Sequence, residues 1–562
     1  MYRRLGLISL VVAAACGGKD PKPTNGSGAD SRPSKTITLI ALAEMRGQIG
    51  PCGCTTDPLG DLSRTAKLVE DARAAGPTLV VDAGSLLYTK SPVPPHLAAQ
   101  EEMKADLLAA TYKDPLGVAA IGLGPADLGA GPGKTRMPRL AINAKLEGAV
   151  AGAALEGPHV LDIGGVKVGV FGVIAEGVKD IAVTDPIAAS KAAAAQLKKD
   201  GAQVIVGLVQ ASSKKDAVKL VRDAGVMDLA IGGLGAMAPE PDDVEPEATK
   251  IDGAWLVIPA NRGQVVSRIS ITMRGDAGPL IDAIGPGAAQ AKAKAIDAQI
   301  AIADADLAKF KTDKDADPAF VKQRSEERGR LAADKADLAQ HPTVIPDKGN
   351  YFTLDQVRIN KPLACDPKVQ SAVSEFYAAA GKANVDAMKD VKVPAPAKGE
   401  ASYVGTEACA DCHQDAVDFW KTTVHSHAWE TLVERGQQYD LDCIGCHVTG
   451  WNKPGGSNLA HNDNLRDIQC ETCHGPGSIH VAKGGEEKPS AMIRRPADDL
   501  CRSACHTKEH SDTFDLQPYL RDITGQGHGA NLRAQLGNGP TGKMLRSTAL
   551  AKAGTLGPGC VR

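Results

Sequence analysis

Cys409-Ala-Asp-Cys412-His413, Cys443-Ile-Gly-Cys446-His447, Cys470-Glu-Thr-Cys473-His474 and Cys501-Arg-Ser-Ala-Cys505-His506 follow one another in the last third of this chain. The first three are C-x-x-C-H haem-attachment signals, and the fourth carries one extra residue. Chemistry dictates the spacing: two thiols add to the vinyl groups on one porphyrin edge, and the histidine reaches back to the iron. Together the four sets hold eight of the 13 cysteines. Zinc ribbons and disulfide frameworks also pair cysteines, but neither requires a histidine after every pair. The stretch therefore implies a multihaem c-type cytochrome module with haem c on Cys409, Cys412, Cys443, Cys446, Cys470, Cys473, Cys501 and Cys505. Four haems are expected. At the fourth site the extra residue has to bulge; the alternatives are a Cys501–Cys505 disulfide or a single attachment.

The motifs fix His413, His447, His474 and His506 as proximal ligands. A low-spin electron-transfer iron needs a second axial ligand, and His425, His427, His461, His480, His510 and His528 lie in the same region. The expected distal ligands are His427 (or His425), His480, His528 and His510. His480 follows His474 across Gly475-Pro476-Gly477, a sharp reversal. That spacer is too short to pass around its own porphyrin, so His480 is expected to serve a neighbouring haem.

Arg3 and Arg4 precede the apolar run Leu5–Ala15, which ends at Cys16. This is a charged n-region and an h-region too short to span a bilayer. Residues 1–16 read as a signal peptide whose junction resembles a bacterial lipobox, with Cys16 lipidated and anchoring the protein to a membrane. The alternative is an ordinary cleaved signal with an incidental cysteine. Residues 17–35, rich in Gly, Ser, Pro and Lys, read as a flexible tether. The expected location is extracytoplasmic, on the periplasmic face or the outer membrane, where c-type haem is attached. A net charge of −3 without basic tracts argues against nucleic acid. Redox proteins are the expected partners. Aromatic residues make up only 3% of the chain, so cores must be aliphatic, with haem supplying apolar volume in the cytochrome region.

Residues 36–275 alternate short Val/Ile/Leu-rich runs with helical patterns, which predicts an α/β domain with a largely buried sheet. The expected strands are Ile37–Leu42, Thr78–Asp82, Val118–Gly122, Val166–Val173, Val204–Val209, Leu229–Gly232 and Trp255–Pro259, with Gln264–Met273 as an antiparallel edge. The expected helices are Leu62–Ala75, Ala98–Thr111, Ile187–Lys199 and Lys214–Ala224. Ile296, Ile300, Ala303, Leu307 and Phe310, then Phe320, Leu331 and Leu338, give 286–341 the period of a helical hairpin. A connecting segment and linker (342–400), a mainly α or irregular tetrahaem module (401–530) and a loose tail (531–562) complete a multidomain chain. Cys365 and Cys560 have no partner that spacing alone can assign.

Ile37–Ile40, Leu62–Val69 and Val80–Gly84 resemble the metallophosphoesterase-fold domain of the 5′-nucleotidase family. That family holds two metals with Asp-x-His, Gly-Asp, Asn-His-Glu and Gly-His-x-His segments. Here those positions read Glu44-Met45-Arg46, Gly84-Ser85, Pro125-Ala126-Asp127 and Gly233-Leu234-Gly235-Ala236. The resemblance implies the α/β sandwich; the substitutions imply that metals and hydrolase activity are lost. Pro51-Cys52-Gly53-Cys54 resembles the Cys-Gly-Cys loop of some exported nucleotidase-like proteins, and makes Cys52 and Cys54 a candidate redox or soft-metal pair. Their alternative is an inert disulfide or partly buried thiols. Ser402–Gly529 resembles the cytochrome c554 family through Tyr403–Glu407, Trp420-x-x-Thr423-x-His425-x-His427 and Cys470–His480. Three functions compete: an electron-transfer lipoprotein with an inactive α/β domain, an oxidoreductase with one open haem for a small nitrogen or sulfur compound, and a nucleotide phosphohydrolase. The missing metal ligands weigh against the third.

Overall fold

The computed structural model describes residues 34–51, 55–145, 155–179, 181–275, 278–312, 317–485, 491–507, 510–555 and 560. Cys16, Cys52 and Cys54, with the lipidation and redox expectations attached to them, lie outside these residues.

Two six-stranded sheets face each other. The first runs, in spatial order, 280–282, 350–358, 265–273, 35–42, 78–82, 120–121. The second runs 249–251, 254–257, 229–233, 204–210, 166–174, 159–163. Strand Lys35–Leu42 shows why the runs are apolar throughout. Leu39 and Ala41 point between the sheets, whereas Ile40 and Leu42 point outward under helices. Successive side chains leave opposite faces of a strand, so a sheet covered on both sides needs apolar residues at every position. Helices Leu62–Ala75, Ala98–Lys113 and Pro367–Met388 cover the first sheet; Pro186–Lys199 and Lys214–Ala224 cover the second. Asp61 caps the first of these helices by accepting from Ser63 N at 2.9 Å.

Two expectations about the α/β body change. Val265–Met273 is interior, not an edge: it pairs antiparallel with Lys35–Leu42 on one side and Asn350–Arg358 on the other. The edge belongs to Leu280–Asp282. The segment 342–400 is more than a connection. It returns from the hairpin to add strand Asn350–Arg358 and helix Pro367–Met388 to the α/β body, burying Phe352, Leu354, Val369 and Phe376.

Helices Pro286–Thr312 and Pro318–Gln340 form the hairpin. Ile296 and Ala303 are buried, while Phe310 meets Phe320 edge-on at 5.5 Å. Ion pairs Arg324–Asp306 (2.6 Å) and Lys335–Asp297 (2.6 Å) run between the helices. Exposed pairs of this kind contribute about 0–1 kcal/mol each, so the apolar seam sets the register.

The cytochrome region packs against the α/β body. Thr56 N and Oγ1 donate to Asp512, and Gln100 and Lys104 reach Asp440 and Asp442. The tail, read as loose from sequence, contains helices Ala530–Leu536 and Gly542–Gly554, and Arg521 holds it by donating to Leu536 O at 2.9 Å. Cys560 is disulfide-bonded to Cys365, with Cα atoms 5.6 Å apart. No helix among the described residues is long and apolar enough to cross a membrane.

Phe352 lies between the sheets and meets Trp255 edge-on at 5.4 Å. Phe352→Ala is expected to cost about 3–5 kcal/mol, read as a fall in the denaturant midpoint of the α/β body. A loss below about 1 kcal/mol would place the post-hairpin strand outside the core.

Candidate functional site

Each haem motif sits on a short turn that presents two thiols and an imidazole together. Helix Glu407–Lys421 carries Cys409 and Cys412, and its backbone leaves helical geometry at His413 (φ −124°, ψ 36°). Ile444–Cys446 is a single tight turn between Cys443 and His447. Cys470–His474 is one helical turn stopped by Gly475 at φ 85°, where a Cβ would meet Ala491 O at 2.3 Å. In the fourth motif Cys501 lies in helix Asp498–Ala504, and Cys505 follows at its C-cap, where the backbone leaves helical geometry (φ −137°, ψ −43°). None of the eight motif cysteines is disulfide-bonded, Cys501 and Cys505 included.

Histidines from distant segments meet in pairs. His413 and His480 have ring centres 6.4 Å apart, His425 and His506 6.2 Å, and His474 and His528 6.5 Å. An imidazole nitrogen bonds a metal at about 2.0–2.1 Å and lies roughly 1.1 Å from its ring centre, so two imidazoles flanking one iron stand about 6.3 Å apart. The three pairs match that span. His480 thus stands opposite the motif histidine of a different segment, as its short spacer from His474 requires.

Other placements differ from expectation. His425 is the half-buried member of the 425/427 pair, while His427 is largely exposed with Nδ1 3.6 Å from Glu430 Oε2. The reason is local: both belong to one tight turn, Val424–His427, which can aim only one ring inward. His510 is exposed and stacks on no motif histidine among the described residues. His447 makes no ring contact with another histidine among those residues, but His510 lies near enough to lower its pKa.

Hydrogen bonds select the nitrogen offered to iron. Nδ1 of His447 lies 2.5 Å from Ala428 O, and Nδ1 of His474 lies 2.7 Å from Ile493 O. A carbonyl acceptor fixes the proton on Nδ1 and leaves the Nε2 lone pair for a metal. Burial lowers the pKa of His425, His447 and His528 and pushes His506 down to about 4. Neutral imidazole is the ligating form.

Glu471, inside the third motif, is a positioning residue that sequence reading passed over. Its buried carboxylate accepts from Val404 N (3.0 Å), Gly405 N (2.8 Å) and Gly477 N (2.7 Å). It therefore binds the entry to the first motif and the turn leading to His480, which brings His480 to His413. The apolar core here is small, centred on Ile444, Val448 and Leu459.

A second cluster lies at the carboxyl ends of the α/β strands, where the substituted metal positions converge. Glu44 is buried; its Oε1 accepts from Gln210 Nε2 (3.0 Å) and Gly235 N (2.9 Å). Asp127 accepts from Ser85 N, Leu86 N and Gly124 N and pairs with Arg139 at 3.1 Å, both side chains fully buried. Gln210 and Arg139 were not foreseen: Gln210 ends strand Val204–Gln210 one residue past the expected run, and Arg139 sits in strand Arg139–Leu140, where no strand was expected. Asp127 is thus committed to amides and a guanidinium. Among the described residues, the group with metal-ligand spacing is Asp61, Cys365 and Cys560, whose thiols form the disulfide.

The C-terminal region, with its attachment motifs and iron-span histidine pairs, is a c-type cytochrome module carrying covalently bound haem. Residues 408–475 match the family described as cytochrome c554 and c-prime. Cytochrome c-554 of Nitrosomonas europaea is 29% identical over 137 residues, 19% of this chain and 58% of that protein. The chain thus spans 58% of the length of this curated relative. Among solved structures, the reduced state of cytochrome c554 from Nitrosomonas europaea is similar at 21% identity over 25% of this chain and 84% of that one, with TM-score 0.17. The 5′-nucleotidase precursor from Thermus thermophilus is similar at 15% identity over 75% and 71%, with TM-score 0.41. The layered α/β architecture rests on strand order and core packing, independently of these two. The family supports a haem-based electron-transfer or redox role.

Each cluster can be tested by a single substitution. His480→Ala is expected to turn one haem, that of Cys409 and Cys412, from low to high spin with the haem count unchanged. An unchanged low-spin spectrum would remove His480 from the ligand set. Burial raises Glu44 to about 7 and Asp82 to about 6. The folded state then binds protons that the unfolded state releases, so each contribution is full below the ordinary value (3.8 for Asp82, 4.5 for Glu44) and is lost as pH rises to about 6 and about 7. Glu44→Gln is expected to remove on the order of 2–3 kcal/mol of that fall, measured by denaturant midpoints at pH 5 and pH 8.

Proposed function

We propose that this protein is an extracytoplasmic, membrane-anchored multihaem cytochrome that passes electrons through four covalent haems to redox partner proteins, with an α/β domain that no longer hydrolyses phosphoesters. The observation that carries this reading is the set of three histidine pairs at the separation required by six-coordinate iron. Six-coordinate low-spin centres exchange electrons without opening a substrate position. His413 with His480, His474 with His528 and His506 with His425 are the proposed axial pairs, and His447 is the proximal ligand of the fourth haem. Lipidation at Cys16 supplies the anchor. Asp127, held by Arg139 and three backbone amides, supports loss of the hydrolytic metals.

A second reading has one observation behind it: no ring contact sets a histidine against His447 among the described residues, although His510 lies near enough to lower its pKa. An open position there would suit an oxidoreductase acting on a small nitrogen or sulfur compound. Electron paramagnetic resonance with intact mass separates the readings. Four haems, all low-spin, are expected for a pure electron carrier; one high-spin iron selects the oxidoreductase, and a mass with three haems removes the Cys501–His506 site. Phosphate release from nucleotides with added divalent metal is expected to stay at background; robust metal-dependent turnover would overturn the inactive-domain reading.

A further inference from the structure

The segment Tyr439–Asp442 enters the second haem motif between two helices of the α/β domain. Asn384 Nδ2, on Pro367–Met388, donates to Tyr439 O at 3.0 Å. Gln100, on Ala98–Lys113, donates to Asp440 Oδ1 at 2.7 Å and accepts from Leu441 N at 3.1 Å. Lys104, one turn further, is buried at 6% exposure, with its ammonium 2.9 Å from Asp442 Oδ2 and 2.7 Å from Glu101 Oε1. Asp440 then touches the motif itself. Its carbonyl accepts from Cys443 N at 3.0 Å, and its carboxylate lies 3.6 Å from Cys443 Sγ. Burial alone would lower Lys104, yet Asp442, Glu101 and Asp440 hold it above its ordinary value. One buried cation thus neutralises part of a three-carboxylate cluster that ends at the thioether-forming sulfur.

The other end of this network reaches the strand-end cluster. Glu101 accepts from Thr89 N and Oγ1, each at 2.8 Å, and Thr89 closes the loop that begins at Ser85. No other motif is tied to the α/β body by a buried charge among the described residues.

We propose that Lys104 is a positioning residue for the haem centre of Cys443, Cys446 and His447, and that the α/β domain forms the charged wall that sets this centre's reduction potential. The proposal rests on the reading that this motif carries haem. Ferric haem holds one more positive charge than ferrous. Removing the Lys104 cation therefore favours the ferric state, whereas removing the Asp442 charge favours the ferrous state. Opposite shifts from two partners of one ion pair are the mark of electrostatic control; loosening of the loop would move both the same way.

The test uses the full-length holoprotein and its Lys104→Met, Asp442→Asn and Gln100→Ala variants, with potentiometric titration of each haem and peptide mass across Cys443–His447. At fixed potential, the reduced-to-oxidised ratio of one haem is expected to fall three- to tenfold in Lys104→Met and to rise by a similar factor in Asp442→Asn, tenfold being about 59 mV for one electron. Gln100→Ala, which breaks contacts but removes no charge, is expected to change it less than twofold. Shifts of the same sign in both charge variants, equal shifts at every haem, or no shift would overturn the proposal. If Lys104→Met does not fold, Asp442→Asn, at the 34% exposed end of the pair, decides by the sign of its shift. A wild-type peptide lacking haem at Cys443 and Cys446 would overturn the haem assignment itself, separately from the role of Lys104.

Discussion

An iron held between two imidazoles fixes their separation to a few tenths of an ångström, and the C-terminal module is arranged around that span. Each pair joins segments remote in sequence: His413 with His480, His474 with His528, His506 with His425. Loops with so little apolar core cannot hold such distances by packing alone. Backbone amides and buried carboxylates do it instead. Glu471 gathers three amides from two segments, and Thr449 Oγ1 accepts from Gln469 N at 3.0 Å to seat the third motif. Buried polar networks of this kind specify a unique geometry when every member is satisfied.

The α/β body solves a different problem. Its sheets are covered on both faces, so aliphatic residues suffice and few aromatics are needed. Glu44, Arg46 and Ser85 keep left-handed backbones (φ 53°, 47° and 61°) at the strand ends. Such conformations cost on the order of 1–3 kcal/mol each and persist only where surroundings over-determine them. At these strand ends the side chains turn to one another: Gln210 to Glu44, and Arg139 to Asp127.

How much was legible from sequence follows from the range of each signal. Helices Leu62–Ala75 and Lys214–Ala224 fall where periodicity puts them, because that signal is local. The haem motifs were legible because covalent chemistry fixes their spacing. Strand Asn350–Arg358 was missed since its partner, Val265–Met273, lies across the whole hairpin, and half of its residues are polar. That same hidden pairing made Val265–Met273 read as an edge. His425 and His427 could not be separated by spacing, because the choice depends on which ring the turn buries. Glu471 and Lys104 look like surface charges in sequence; only the meeting of distant backbones shows why they are inside.

The Cys365–Cys560 disulfide encloses every haem-attachment motif within one covalent ring of chain. In a chain exported from its N-terminus, Cys560 emerges after all eight attachment thiols, so the ring can close only when each of them has already reached the same compartment. Maturation then faces two opposed redox demands in one molecule: thioether formation needs reduced cysteines, and ring closure needs oxidised ones. Early oxidation would let Cys365 capture one of the eight thiols that emerge before its proper partner. The placement of Cys365 ahead of the module and Cys560 behind it makes correct closure a record that the whole module has been delivered.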